Sequence, residues 1–472
     1  MHLISNTGSG SNPKFTRRAI LRSLAASAAS AAVLPAGLSI VGSPATAQAS
    51  RSYIAGVVSR GNMTSVWQWT DAMLQTVRDR AIAPPPATRL LATGHMAGFL
   101  ARAALEPGRY AQGYRLAEAP AGADPDVAYG AAVATAIRNV TGVDTRGALN
   151  QFLSAYPDGE AKGRGVTWGE YAARALTHAR RDDGYKYRES AVFEPRKDEL
   201  AWQPTGPHFG APNGPKFRQY ADALLPGWGY LTPWSMGDIT TMRPSQFPSA
   251  SSREFARQLD KIKALGSHNS TIRTDDQSEV AFFWEDGPRG VTPPGHWQII
   301  AMQVLQNRGM DGLEQARAMA LLSMAQADAA IATWDCKFEQ DILRPETAIR
   351  VGVPGGLHDH MIDRNWMTLI PTPNFPAYTS GHSTFSATSA QMLKRIIGTD
   401  RVRFSGQAPD LINWPTQLTG VTRSWTSLSQ AAAEGGHSRE YGGIHWEADD
   451  TEGQAAGRQV ADHVFRRMLR RT

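Results

Sequence analysis

Cysteine is almost absent. Cys336 is the only one in 472 residues, which excludes an intrachain disulfide and leaves packing to hold the fold. Charge is also sparse, with charged residues at 19% against 42% hydrophobic ones, so the chain lacks the composition of a disordered protein. Its length admits two to three average domains or one large helical unit. No uninterrupted apolar run approaches the ~20 residues that a membrane-spanning helix needs. Strand-like alternation is scarce, and no fixed-period repeat is present. The histidines His208, His268, His296 and His437 show no metal-ligand spacing. Acids are missing from residues 1–49, which hold Lys14, Arg17, Arg18 and Arg22. Without those four bases the formal charge of +6 falls to +2, with 45 bases against 43 acids, so the basic balance does not argue for a nucleic-acid partner.

The same first residues carry a pattern. Thr16-Arg17-Arg18-Ala19-Ile20-Leu21-Arg22 precedes a weakly apolar, Ala-rich run to Val33, and Ala47-Gln48-Ala49 offers a small-residue cleavage site. This segment resembles a bacterial twin-arginine signal peptide; the alternative, an Ala-rich membrane anchor, is opposed by Pro35, Gly37, Gly42 and Pro44. It predicts a mature chain beginning near Ser50, exported already folded to the periplasm or the medium.

From Ser50 to about Pro248, Ala-rich helical patches alternate with Pro and Gly turns; 167–181 reads as a helix and 201–231 as loop-rich. Beyond Pro248 the helical period strengthens, predicting helices over 252–265, 277–284, 296–307, 313–343, 384–397 and 453–469. The expectation is an all-α architecture of helical bundles with a loop-rich N-terminal half. It divides into a leader over 1–49, an N-terminal region over 50–250 and a helical domain over 251–472. Arg466, Arg467, Arg470 and Arg471 read as cations closing the last helix.

Three blocks in the C-terminal part carry chemistry. The first is Lys337-Phe338-Glu339-Gln340-Asp341-Ile342-Leu343-Arg344-Pro345. On a continuous helix, seven residues make nearly two turns and put Lys337 and Arg344 on one face, roughly 10 Å apart along the axis. Such a pair suits an anion, though alone it reads more readily as two solvated cations. The second is Phe375-Pro376-Ala377-Tyr378-Thr379-Ser380-Gly381-His382-Ser383, ahead of a predicted helix near Thr384. A hydroxyl and close-approach backbone N–H groups at a helix start make an oxyanion cradle, and His382 beside it can move protons; ordinary capping is the plainer alternative. The third runs from Ser438 and Arg439 through Gly442-Gly443-Ile444 to His445 and Asp449. Arg439 can grip an oxyanion with two N–H groups, the paired glycines allow a tight turn, and Asp449 falls where it either orients the His445 ring or stays solvated.

In order, Lys-x6-Arg-Pro, Ser-Gly-His and Ser-Arg-x3-Gly-x-His-x3-Asp resemble the shared active site of the vanadium-dependent haloperoxidases and the type 2 phosphatidic acid phosphatases. The motifs span about 330–450; the region before 250 carries none of them. Thr379 stands where that second block usually has proline. The resemblance implies that Lys337, Arg344, Ser380, the Gly381 amide and Arg439 bind the oxygens of vanadate, with phosphate able to take the same place. It makes His445 the axial ligand to the metal and His382 the acid–base group. Fungal-type chloroperoxidases have similar aromatic residues around the halide, which implies that Trp334 and Phe375 flank a halide pocket; packing in the core is the equal alternative for both.

Two enzymes fit that site. One is a vanadium-dependent haloperoxidase oxidising halide with hydrogen peroxide to hypohalous acid, which passes to an organic acceptor; the other is an exported acid phosphatase working through a phosphohistidine at His445. The aromatic pair favours the first. A non-catalytic oxyanion-binding protein would need the donors but not both histidines. Asp286 is a candidate partner for a site cation or else a solvated loop acid, and Cys336 reads as a small buried residue.

Overall fold

The computed structural model describes residues 63–472, apart from 206–222 and positions 189, 190, 192, 195, 197, 199 and 354. The twin-arginine leader and His208 lie outside the described residues.

The described chain is helical almost throughout. Five helices come first: α1 (Ser65–Asp79), α2 (Pro84–Leu105), α3 (Pro125–Thr141), α4 (Arg146–Leu153) and α5 (Glu160–Ala179). Their ends follow capping chemistry: Asp124 accepts from the Asp126 and Val127 amides, Pro125 opens α3, and Gly142 closes it at φ 72°. The loop-rich character expected of the whole N-terminal half is concentrated between α5 and α6 (Arg253–Leu265). Then follow α7 (Asp275–Phe283), α8 (Thr292–Leu305), the long α9 (Gly312–Gln340), α10 (Pro345–Arg350), α11 (Gly381–Ile397), α12 (Pro415–Leu418), α13 (Leu428–Tyr441) and α14 (Glu447–Arg467). Among the described residues one small antiparallel ribbon interrupts the helices, pairing β1 (Phe404–Gly406) with β2 (Arg423–Trp425).

One hydrophobic core runs from Val66 on α1 to Val464 on α14, so the helices on both sides of residue 250 pack into it. α9 is its axis: it opens on an Asp311–Glu314 capping box and packs on α2, α11 and α14. A smaller cluster holds Phe247, Phe255, Ile342, Tyr378 and Trp446 beneath the three motif blocks. α11 and α14 approach closely because two glycines of α14 face α11. A Cβ on Gly453 would fall 3.0 Å from the Ser380 carbonyl oxygen, and one on Gly457 would fall 2.4 Å from that of Thr384. That contact brings the second and third blocks together. No described helix is long and apolar enough to cross a membrane.

Candidate active site

The first block does not lie on one helix. α9 ends at Gln340 because Asp341 turns to φ 52°, while its amide still donates to the Lys337 carbonyl (2.8 Å). Beyond it the chain is tied from both sides: Trp202 N donates to Asp341 O (3.0 Å), Leu343 N to Leu200 O (2.7 Å), and Ala377 N to Ile342 O (2.8 Å). Lys337 therefore comes from the last turn of α9 and Arg344 from the N-cap of α10, which corrects the shared helical face expected from their spacing. They converge by another route. Lys337 Nζ lies 4.8 Å and Arg344 Cζ 4.9 Å from the centroid of the Phe375 ring.

Both cations are fully buried, as is Ser380, and Arg439 is nearly so. Burying an ionised group costs several kcal/mol unless it is partnered, and backbone oxygens supply much of the partnership. Lys337 Nζ donates to Pro376 O (2.8 Å) and Ala377 O (3.0 Å). Arg344 donates to Phe375 O (2.9 Å) through Nε and to Ile444 O (2.7 Å) through Nη1. Arg439, near the end of α13, donates to Trp284 O. Burial, and for Lys337 and Arg344 a neighbouring guanidinium as well, holds Lys337 well below its ordinary value, Arg344 at about 9 and Arg439 at about 10. Arg344 Nη2 and Arg439 Nε remain buried without a hydrogen-bond partner. Buried cationic donors left without a partner beside a helix N-terminus are suited to receiving an anion.

Ser380 is the N-cap of α11 and accepts from the Ser383 amide (3.2 Å), so the helix starts three residues earlier than its sequence period suggested. A Cβ on Gly381 would meet only Phe385 at 3.7 Å and Trp334 at 3.8 Å, ordinary contact distances. Protein packing alone would admit alanine there, and glycine leaves that volume open beside the helix N-terminus. The Tyr378–Thr379 peptide is cis.

The turn after α13 brings His445 back to this cradle. Gly443 takes φ 81°, and a Cβ on it would lie 2.3 Å from the Gly266 carbonyl oxygen, so only glycine fits. Arg344 Nη1 donates to His445 Nε2 (2.9 Å), and a guanidinium has no acceptor atom. The ring proton therefore sits on Nδ1, which donates to Asp449 Oδ2 (2.6 Å). Asp449 Oδ2 also accepts from Trp446 N (3.0 Å), Oδ1 has no partner, and burial pushes this carboxyl up to about 7. The Nε2 lone pair of His445 thus faces Arg344 and accepts from it; burial and the surrounding cations hold the ring's pKa well below the ordinary histidine value.

His382, the second residue of α11, keeps a partly exposed edge and lies against Glu285 O, 3.2 Å from its Nε2. A carbonyl only accepts, so Nε2 carries the proton and Nδ1 the lone pair. Burial and nearby Arg439 keep this ring neutral too. The sequence blocks do not reveal the wall that meets it. Glu285 is buried, its Oε2 accepts from Asn413 (2.9 Å) and the Gly287 amide (2.8 Å), and burial raises its pKa. Asp286 is not a solvated loop acid: its side chain is 3% exposed and receives His296 Nδ1 at 3.0 Å. The signal available in the sequence was Trp284-Glu285-Asp286-Gly287 itself, two acids beside a Trp and a Gly just after a helix.

Trp334 and Phe375 are brought together, ring centroids 5.1 Å apart at 49°, with the Trp334 indole N–H donating to Leu224 O (3.1 Å). Cys336 is buried, and burial pushes its thiol up to about 12. Among the described residues no His, Cys, Asp and Glu group could hold a metal cation. The donor set here is of another kind: cations, a helix N-terminus and one imidazole lone pair, which fit an oxyanion or an oxyanionic metal centre.

An all-α bundle with three buried cations and two histidines gathered near a helix N-terminus is the class that fold and site define. Residues 317–472 match the family described as the VCPO second helical-bundle domain, and every motif residue lies inside that stretch. The vanadium chloroperoxidase of Curvularia inaequalis is 28% identical over 297 residues, covering 50% of this chain and 48% of that one. The chain thus spans about half the length of the curated relative it matches. The crystal structure of the first bacterial vanadium-dependent iodoperoxidase superposes with a TM-score of 0.71 at 24% identity, over 86% of this chain and 95% of that one. An apo-type bacterial vanadium-dependent chloroperoxidase gives 0.65 at 18% identity, over 82% and 95% of the two chains. At such identities the structures establish a common fold. Residues 317–472 thus carry the second helical-bundle domain of that family, and the described chain shares its fold with the vanadium-dependent haloperoxidases named above.

Proposed function

We propose that the protein is a vanadium-dependent haloperoxidase that uses hydrogen peroxide to oxidise halide to hypohalous acid, releasing water. The observation that carries this is the pair of unpartnered buried donors, Arg344 Nη2 and Arg439 Nε, on cations that share the motif with two histidines, His382 and His445, both held well below the ordinary histidine value. Lys337, Arg344, Arg439, Ser380 and the Gly381 amide would hold the vanadate oxygens, and His445 Nε2 would hold the metal. When bound, vanadate supplies a Lewis-acidic centre that activates peroxide without a change of metal oxidation state. His445 is fixed in the one tautomer that can serve as ligand. His382 accepts and returns protons at Nδ1, because its Nε2–H is committed to Glu285 O. The three cations offset the cost of burying an anion, and they are placed before it arrives. Trp334 and Phe375 offer an apolar wall suited to a weakly hydrated halide.

The same reading makes 251–472 the catalytic part, 50–250 its helical support and 1–49 a twin-arginine leader that sends the folded enzyme to the periplasm or the medium. The acid phosphatase remains the second reading, because His445 Nε2 is equally placed to attack phosphorus and His382 to protonate the leaving alcohol. Competition separates them. In a haloperoxidase, phosphate added before orthovanadate should suppress peroxide-dependent bromination of a phenol, and raising vanadate should restore it. In a phosphatase, vanadate should instead inhibit aryl phosphate hydrolysis and peroxide should oxidise no halide. That second pattern would overturn the proposal.

A further inference from the structure

Of three consecutive residues beyond the end of α7, two reach the site through their carbonyls and the third is anchored by its carboxylate to His296. Trp284 O accepts from Arg439 Nη1, Glu285 O from His382 Nε2 (3.2 Å), and the Asp286 carboxylate from His296 Nδ1 (3.0 and 3.3 Å to its two oxygens). His296, on α8, also stacks on the Trp284 indole, with centroids 4.6 Å apart and planes at 25°. One imidazole therefore touches the first residue of the segment and hydrogen-bonds the third. Asp286 holds φ 46°, a conformation a non-glycine residue adopts at a cost of about 1 kcal/mol or more, so its side-chain anchor matters. Glu285, between them, is pinned separately by Asn413 and Gly287.

We propose that His296 is a positioning residue: it clamps the 284–286 segment and so fixes, through the Trp284 and Glu285 carbonyls, the orientation of Arg439 and the tautomer of His382. Neither effect requires His296 to touch substrate. The bond from His382 to Glu285 is already at the long end of the hydrogen-bond range. A small shift of the carbonyl breaks it, frees the ring to place its proton on Nδ1, and removes the lone pair that serves as base. The same shift withdraws the acceptor that aims the Arg439 fork. The inference rests on the roles proposed above for those two residues, but its test needs no turnover.

The test uses the full mature chain without added vanadate. Imidazole nitrogen NMR reads the His382 tautomer, and calorimetry with inorganic phosphate reads the cradle. Wild type should show a single Nε2–H tautomer. His296→Leu, which loses both stacking and hydrogen bond, should show mixed tautomers and bind phosphate about 10- to 100-fold more weakly. His296→Asn, which keeps a donor near the position of Nδ1, should recover most of both. Asp286→Ala should resemble the leucine variant, and it carries the test if that variant does not fold. A folded His296→Leu or Asp286→Ala protein with the wild-type tautomer and phosphate affinity would overturn the proposal, as would His296→Asn behaving like His296→Leu. If wild type oxidised no halide, the proposed function would fail while these readouts stayed as described.

Discussion

Around His445 the surroundings are largely local to its own motif, whereas around His382 they come from far away in the chain. Asp449 follows His445 by four residues on α14, and among the described residues Arg344 is the only distant one to hydrogen-bond the ring. His382 meets the carbonyl of Glu285, 97 residues upstream, on a segment held by His296 and Asn413. The chemistry differs accordingly. A carboxylate behind an imidazole raises its basicity and fixes a lone pair for bonding, while a backbone carbonyl fixes the tautomer and adds no net charge. The first arrangement suits a ligand or nucleophile and the second a proton carrier.

Breaking the His445 end should have the largest effect. His445→Ala removes the lone pair needed in either mechanism and should abolish both vanadate-dependent halide oxidation and any phosphatase activity; near wild-type turnover would refute the assignment. His382→Ala should leave vanadate bound and slow the rate per bound vanadium by roughly 10²- to 10⁴-fold. Lost metal binding with an unchanged rate per metal would reverse the two roles. Asp449→Ala should weaken vanadate affinity about 10- to 100-fold by freeing the His445 ring, measurable by equilibrium dialysis, and an unchanged affinity would assign the carboxyl to packing.

The smallest effect concerns stability. His382 is held neutral by burial and Arg439, so the unfolded chain protonates this ring near pH 6.5 while the folded protein does not. Its contribution is present above that pH and lost as pH falls through it and on toward the lowered folded value. Between pH 7.5 and 5.5, His382→Gln should therefore lose less stability than wild type in vanadate-free urea unfolding, by up to about 1.4 kcal/mol, the limit for a ring that stays neutral throughout. Equal losses would mean that the ring titrates normally in the fold.

The same contrast explains what the sequence made legible. Lys337, Arg344, Ser380, Gly381, His382, Arg439 and His445 stand out in the sequence because short spacings carry them, and the four-residue step from His445 to Asp449 marks a contact that the structure contains. The all-α class was readable from the period of the longer helices. The Lys337–Arg344 geometry was not, because it depends on Asp341 leaving the helix under ties from Leu200, Trp202 and Ala377. Helix α13 was hidden by Gly435 and Gly436, residues that lower helix propensity. They are there for packing: a Cβ on Gly435 would fall 2.8 Å from Ser386 Oγ, and one on Gly436 would fall 2.0 Å from Asp450 Oδ1. The Trp284–Asp286 wall carries a local signal in its own four residues, but its meeting with Arg439 and His382 comes from long-range packing.

The central claim is that this cradle works on a halide with vanadate and peroxide. Its most direct test is bromide oxidation by purified protein loaded with orthovanadate and freed of excess metal, with aryl phosphate hydrolysis followed in parallel. A peroxide-dependent rate per bound vanadium far above that of free vanadate, abolished by His445→Ala, is the result predicted. Oxidation no faster than free vanadate, together with steady phosphate release from the metal-free protein, would contradict it.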